Sequence, residues 1–211
     1  MEITIINGSP KRDKSTSDLL MEYLISQIND NNEIELHNIK NDTFTERQFE
    51  KVQNSDVLIF AFPLYVDSVP SHVLKLLIEL EKRNFATKNI VVYCVINNGF
   101  FEGHQNRIAI TQMKNWCRSC GFIWGQAVGI GAGEMLPFLK DIPMGHGPNK
   151  NIGSALKCLS KNILSKSAGQ DILVSPNWPR LLWKIQSSFS VWYPRAKSNG
   201  LTRKELYRRI Q

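Results

Sequence analysis

The sequence is short of cysteine, and what it has is scattered: four residues, at 94, 117, 120 and 158, among 211. That is too sparse for a disulfide scaffold. The one C-x-x-C pair, Cys117 and Cys120, lacks the second pair that a zinc site needs. A compact four-cysteine cluster, as an iron–sulfur centre requires, is missing too, so no metal is expected. Long apolar runs are also absent. The strongest, VLIFAFPLYV at 57–66, is too short to cross a bilayer and contains a proline. No basic segment followed by an apolar one stands at the N-terminus, and with reduced thiols the expectation is a cytoplasmic protein.

An excess of charge is missing from most of the chain. Residues 176–211 hold eight basic residues against the single acid Glu205, which leaves eighteen of each sign in residues 1–175. The net charge of +7 therefore belongs to the tail. It gives no reason to expect nucleic acid as a partner of the main body. Apolar residues at 42% and charged residues at 21% are ordinary for a globular protein. The expected organisation is one domain over 1–170 and a basic, Trp-rich helical extension over 171–211.

What is present is alternation. Apolar runs at 2–6, 33–39, 56–62, 89–97 and 122–131 read as strands, and DVLIFAF at 56–62 has the unbroken apolarity of a strand buried on both faces. Helical spacing follows at 16–29, where Leu20, Leu24 and Ile28 share a stripe. It recurs after Pro70, with Val73, Leu76, Leu77 and Leu80, then at 105–120 and at 151–166. Such alternation predicts a doubly wound, three-layer α/β fold with five parallel strands in the order 2-1-3-4-5.

The first turn, GSPKRDKSTSDLL at 8–20, nearly spells a P-loop, but Asp13 stands where the second glycine is needed. A β-carbon and a negative charge there block the close wrap of backbone around phosphates. The dinucleotide fingerprint G-x-G-x-x-G is absent as well. What remains is rich in hydroxyls (Ser9, Ser15, Thr16, Ser17) among Lys11, Arg12 and Lys14, and this suits a monophosphate held at a helix N-terminus without a metal. The plainer alternative makes Ser15 an N-cap, with Asp18 completing a capping box. In the expected strand order, ligands sit where strands 1 and 3 end. There the loops PLYVDSVP at 63–70 and NNGFFEGHQ at 97–105 join the first turn. Together they fit a flat ring carrying a phosphate, such as flavin mononucleotide (FMN).

NGSPKRDKSTSDLL and FPLYVDSVPSHVLKLLIE resemble the phosphate loop and the P-x-Y-x-x-x-x-P-x-x-x-K segment of the flavodoxin-like NADPH-dependent FMN reductases and quinone oxidoreductases. The likeness covers about residues 1–130. Lys11 replaces a common arginine, Ser15 a common asparagine, and NNGFF a Thr-Gly-Gly type loop. The resemblance implies that Ser9, Lys11, Ser15, Thr16 and the amide of Ser17 hold the phosphate. The ring would then lie against Pro63, Leu64, Tyr65 and Val66, with Asn97, Asn98, Gly99 and Phe100 along its side. It also implies NADPH or NADH as donor, a small-molecule acceptor such as a quinone or free flavin, and a homodimer. The flavin carries the redox chemistry, so no catalytic acid or base is demanded. The alternatives are a flavin-binding electron carrier and a non-enzymatic interaction module on the same scaffold.

Ile110, Met113, Cys117 and Cys120 share a helical face, so the cysteines read as small core hydrophobes. GIGAGE at 129–134 reads as a turn at the sheet edge. RLLWKIQSSFSVW at 180–192 places Leu181, Ile185, Phe189 and Trp192 on one stripe. Packing against protein is the first expectation for it, and weak contact with an anionic membrane surface is the second.

Overall fold

The computed structural model describes residues 1–11, 13–39, 44–83 and 89–208. Arg12 of the first loop and Arg209 of the tail lie outside them. Two compact units are distinguished, 1–176 and 177–211.

In the first unit the strands are β1 (Glu2–Asn7), β2 (Glu33–Asn38), β3 (Val57–Pro63), β4 (Val91–Asn97), β5 (Ile123–Ile130) and β6 (Ile172–Val174). The helices are α1 (Thr16–Ile28), α2 (Glu46–Asn54), α3 (Ser71–Lys82), α4 (Arg107–Cys120) and α5 (Lys150–Leu164). All strand pairs are parallel, in the order β2-β1-β3-β4-β5-β6.

The expected order is present, but the sheet has six strands rather than five. In the sixth, Ile172 and Val174 pair with Val128 and Ile130. Three residues are too few to show a period, so tertiary contacts define this strand. Asp171 fixes its start: the carboxylate accepts from the Ala127 N–H at 3.0 Å and from the Trp124 indole at 3.2 Å, and pairs with Lys114. Residues 171–176 therefore go with the sheet, six residues beyond the boundary expected from the sequence. Alternation had also left α2 unassigned, because only Phe49 and Val52 of that helix are buried. Its start is set locally by a reciprocal capping box between Thr45 and Gln48.

β4 and all but the last residue of β3 are buried, as their unbroken apolarity requires. Leu20, Leu24, Leu156 and Leu159 of α1 and α5 cover one face of the sheet over Ile5, Ile59 and Tyr93. Leu76, Leu77, Met113 and Trp116 of α3 and α4 cover the other over Phe60, Phe62 and Val92. Cys117 and Cys120 are buried on that second side, and all four cysteines are free thiols. Burial pushes both thiols up, Cys120 to about 12, so they stay protonated and unreactive near neutrality.

The second unit contains α6 (Arg180–Ser187), one π-helical turn (Ser188–Trp192), α7 (Tyr193–Ser198) and a short 3-10 turn at Glu205–Tyr207. The π turn begins at the second of two serines, 187 and 188, whose hydroxyls both donate to the Lys184 carbonyl at 3.0 and 2.8 Å. Such back-bonding bends helices. Thr202 and Glu205 cap the last turn: both the amide and the hydroxyl of Thr202 donate to the carboxylate at 2.7 Å. Among the described residues no helix is long and apolar enough to cross a membrane.

Candidate functional site

The carboxyl ends of β1, β3, β4 and β5 carry four loops, and hydrogen bonds tie them into one surface. Leu64 N–H donates to the Asn97 carbonyl at 2.7 Å, joining the β3 loop to β4. Asn98 N–H donates to the Ile130 carbonyl at 3.0 Å, joining the β4 loop to β5. The Asn97 side chain donates to Ser17 Oγ at 3.1 Å and fastens β4 to the start of α1. Thr16 Oγ1 donates to the Gly133 carbonyl at 3.0 Å and fastens α1 to the β5 loop.

The first loop leaves β1 through Gly8, whose N–H donates to the Ala61 carbonyl at 2.7 Å. Glycine is needed here for proximity. A β-carbon would stand 2.3 Å from Val73 Cγ2 and 3.2 Å from Phe62 Cβ, both buried. His72 holds the same turn from α3, its Nε2 lying 2.9 Å from the Gly8 carbonyl. That carbonyl can only accept, so Nε2 carries the proton.

The loop then enters α1 through a reciprocal capping box. The amide and hydroxyl of Ser15 each donate to Asp18 Oδ2 at 2.7 Å, and Asp18 N–H donates back to Ser15 Oγ at 3.2 Å. The Ser15 hydroxyl hydrogen is thus committed to Asp18, and that of Thr16 to Gly133. Neither hydroxyl remains to donate to an anion. The donors left are the amides of Thr16 and Ser17, which the first turn of a helix leaves without intrahelical acceptors. The Ser9 and Ser17 hydroxyls and the Lys11 ammonium add to them.

One cavity opens at this edge. It is lined by Ser9, Lys11, Ser15, Thr16, Ser17, Pro63, Leu64, Tyr65, Asn97, Asn98, Gly99 and Glu134. Eleven of these twelve are residues that the sequence had singled out, and they come from three separate loops. Val66 and Phe100 are not in the wall; they are 98% and 54% exposed. Tyr65 and Ser68 exchange backbone hydrogen bonds at 3.3 and 3.2 Å around a two-residue turn. The central Val66 and Asp67 have φ of 51° and 56°, the sign a type I′ turn needs. A β-branched valine in that region is strained.

Glu134 is the residue that sequence reasoning missed. It follows β5 in the glycine-rich GIGAGE stretch, read only as an edge turn. The turn reaches the cavity because Gly133 comes within contact of Asn97, where a β-carbon would stand 2.8 Å from Oδ1. Its N–H donates to the Asn98 carbonyl at 2.7 Å, and the neighbouring Ala132 N–H donates to the Phe100 carbonyl. Two closely spaced glycines at the carboxyl end of a strand beside β4 were the available signal.

Electrostatically the wall is mixed: among the described residues Lys11 is its cation and Glu134 its anion, and six of its polar side chains are buried (Ser9, Ser15, Thr16, Ser17, Asn97, Asn98). Asn98 donates to the Glu102 carbonyl at 3.2 Å, but its buried Oδ1 has no partner. A buried acceptor left unpaired costs roughly 1–3 kcal/mol, which a ligand N–H would recover. The arrangement can therefore hold an anion at the α1 end and a planar group with an N–H at the β4 end. Among the described residues no group of His, Cys, Asp and Glu could hold a metal ion.

A family model described as flavodoxin-like fold matches residues 1–133. Among solved structures, the Trp repressor binding protein from Bacillus subtilis is 15% identical with a TM-score of 0.57, covering 74% of this chain and 99% of that one. The NADPH-quinone reductase from P. pentosaceus is 15% identical with a TM-score of 0.54, covering 78% and 98%. The azoreductase from Bacillus anthracis is 13% identical with a TM-score of 0.53, covering 79% and 100%. At these identities the likeness is one of fold. No curated protein matches the sequence.

Proposed function

The chain belongs to the flavodoxin-like-fold family, and on that premise we propose that it is an FMN-dependent NAD(P)H oxidoreductase. It would pass reducing equivalents from NADPH or NADH to a small electrophile such as a quinone, a free flavin or an azo compound. The observation that carries the reading is the convergence of four loops on one cavity with donors at one end and unsatisfied acceptor capacity at the other.

The residues present fit the cofactor. Lys11, the Thr16 and Ser17 amides and the Ser9 and Ser17 hydroxyls would hold the phosphate. Ser15 serves as the helix cap that orients those amides. Pro63, Leu64 and Tyr65 supply an apolar and aromatic wall for the ring. Asn98 Oδ1 would accept from a pyrimidine N–H, and Asn97, pinned by Ser17, keeps the β4 end rigid. The chemistry supplied by bound FMN would be two-electron transfer, from a nicotinamide hydride to an acceptor whose protons come from solvent. No side chain in the wall has to act as acid or base for that exchange. Tyr65, in the wall yet exposed, would offer a face on which a nicotinamide or an aromatic acceptor stacks.

The test is the visible spectrum of the purified protein after incubation with excess FMN and desalting, followed by anaerobic titration with NADPH and with NADH. Retained flavin bands that bleach with either nicotinamide are the expected result. Retained bands that do not bleach would reassign the protein as a flavin-binding electron carrier. A colourless protein would remove the flavin altogether.

A further inference from the structure

The second unit has an apolar stripe that stays largely exposed among its described residues. Leu181, Ile185, Phe189 and Trp192 are 69%, 47%, 56% and 55% exposed, and Leu182 beside them is 47% exposed. Ala196 is the only apolar residue buried among the described residues of this unit. Large apolar side chains at helical spacing, exposed in this number, mark a surface that is completed by something else.

Three candidate occupants differ in charge. Between Asn177 and Lys204 there is no acidic residue, while Arg180, Lys184, Arg195, Lys197, Arg203 and Lys204 are basic. Arg203 stands over the stripe itself, its guanidinium carbon 5.2 Å from the Phe189 ring centroid and 4.4 Å from that of Tyr193. A second copy of this unit would bring the same excess of basic over acidic residues against it, and like charges oppose such pairing. A nucleic acid would satisfy the cations but leaves five large apolar side chains without a role. A bilayer surface with anionic headgroups satisfies both at once. Apolar side chains enter the acyl boundary, cations stay with the headgroups, and tryptophan rings settle at the interface between them. Trp178, Trp183 and Trp192 all lie in this segment.

We infer that residues 177–211 are an interfacial anchor that lies on anionic lipid, with the Leu181–Trp192 stripe entering the bilayer surface and the flanking arginines and lysines contacting headgroups. The inference rests on this unit alone and stands whether or not the cavity of the first unit takes a flavin.

The test is flotation of the full-length protein with two kinds of vesicle, one of phosphatidylcholine alone and one with phosphatidylglycerol added. Tryptophan emission is recorded on the same samples. Flotation with the anionic vesicles only, weakened by high salt and accompanied by a blue shift, is expected. The variant R180Q/K184Q/R195Q/K197Q should lose about fivefold in partitioning per charge removed. Leu181→Ser/Phe189→Ser should abolish the blue shift while far-UV circular dichroism stays that of the wild type. Failure of the wild-type protein to float, or equal flotation with neutral vesicles, overturns the proposal. So does a salt-resistant dimer that Leu181→Ser/Phe189→Ser dissociates, or displacement from vesicles by single-stranded RNA. Because the wild-type comparison decides first, a variant that misfolds does not shelter the inference.

Discussion

The two units use the same kinds of side chain to opposite ends. In residues 1–176 the basic and acidic residues balance at eighteen each, and leucines and isoleucines at helical and strand spacing meet partners across a sheet. In residues 177–211 the balance is eight to one, and leucines at the same helical spacing stay exposed. Amphipathic spacing alone therefore says that a face will be covered, not by what. The covering surface is supplied where strands and helices alternate, and it is missing where a lone helix runs on without them. A neutral body can close on itself, whereas like charges in a strongly basic segment oppose its closing on a copy of itself.

The comparison can be broken most severely at Gly8. A methyl group there meets the stiff, buried Val73, so Gly8→Ala should destabilise the first unit by about 2–3 kcal/mol, read from urea unfolding. A shift below half a kilocalorie would show that the loop can move away from α3. Next is Lys11→Gln, which removes the cavity's cation while leaving the fold alone. FMN affinity should fall about tenfold or more, measured by fluorescence quenching, as for loss of a charge-assisted hydrogen bond. An unchanged affinity would place the phosphate elsewhere. Ser15→Ala removes the cap of α1 and should cost about 1 kcal/mol of stability, with a smaller effect on affinity because its hydroxyl is already committed to Asp18.

A gentler perturbation is pH. His37 is packed against Phe44 between Glu35 and Lys51, and burial lowers its pKa from 6.5, with Glu35 opposing and Lys51 adding. The unfolded chain therefore binds the proton more readily than the folded one. Stability should be constant above that ordinary value and fall as pH drops from 6.5 to the lower folded value. The urea midpoint followed across that window should slope less in His37→Gln. The smallest effect is expected in the second unit: Leu181→Ser should change the unfolding free energy by less than about 0.5 kcal/mol, because an exposed side chain is not part of a core. A larger loss would show that the stripe is buried against protein after all.

Much of the site was legible because the chemistry is local in sequence. Ser9, Lys11, Thr16 and Ser17 follow one strand, Pro63 to Tyr65 another, and Asn97 to Gly99 a third, and parallel topology puts such strand ends on one edge. Glu134 was not legible. Its approach depends on Gly133 fitting against Asn97, a contact between residues far apart in the chain. The cap role of Ser15 is legible, because Asp18 stands three residues on, whereas the commitment of the Thr16 hydroxyl is not, because its acceptor, the Gly133 carbonyl, lies far along the chain.

By itself the sequence determined the alternation of elements, the order of the first five strands and the sheet edge at which the cavity opens. Hydrophobic periodicity and chain connectivity are one-dimensional and survive in the string of letters. The sixth strand, the fourth wall of the cavity and the tie between the Thr16 hydroxyl and Gly133 were decided only in three dimensions. Each depends on a contact whose partner the chain brings close by folding.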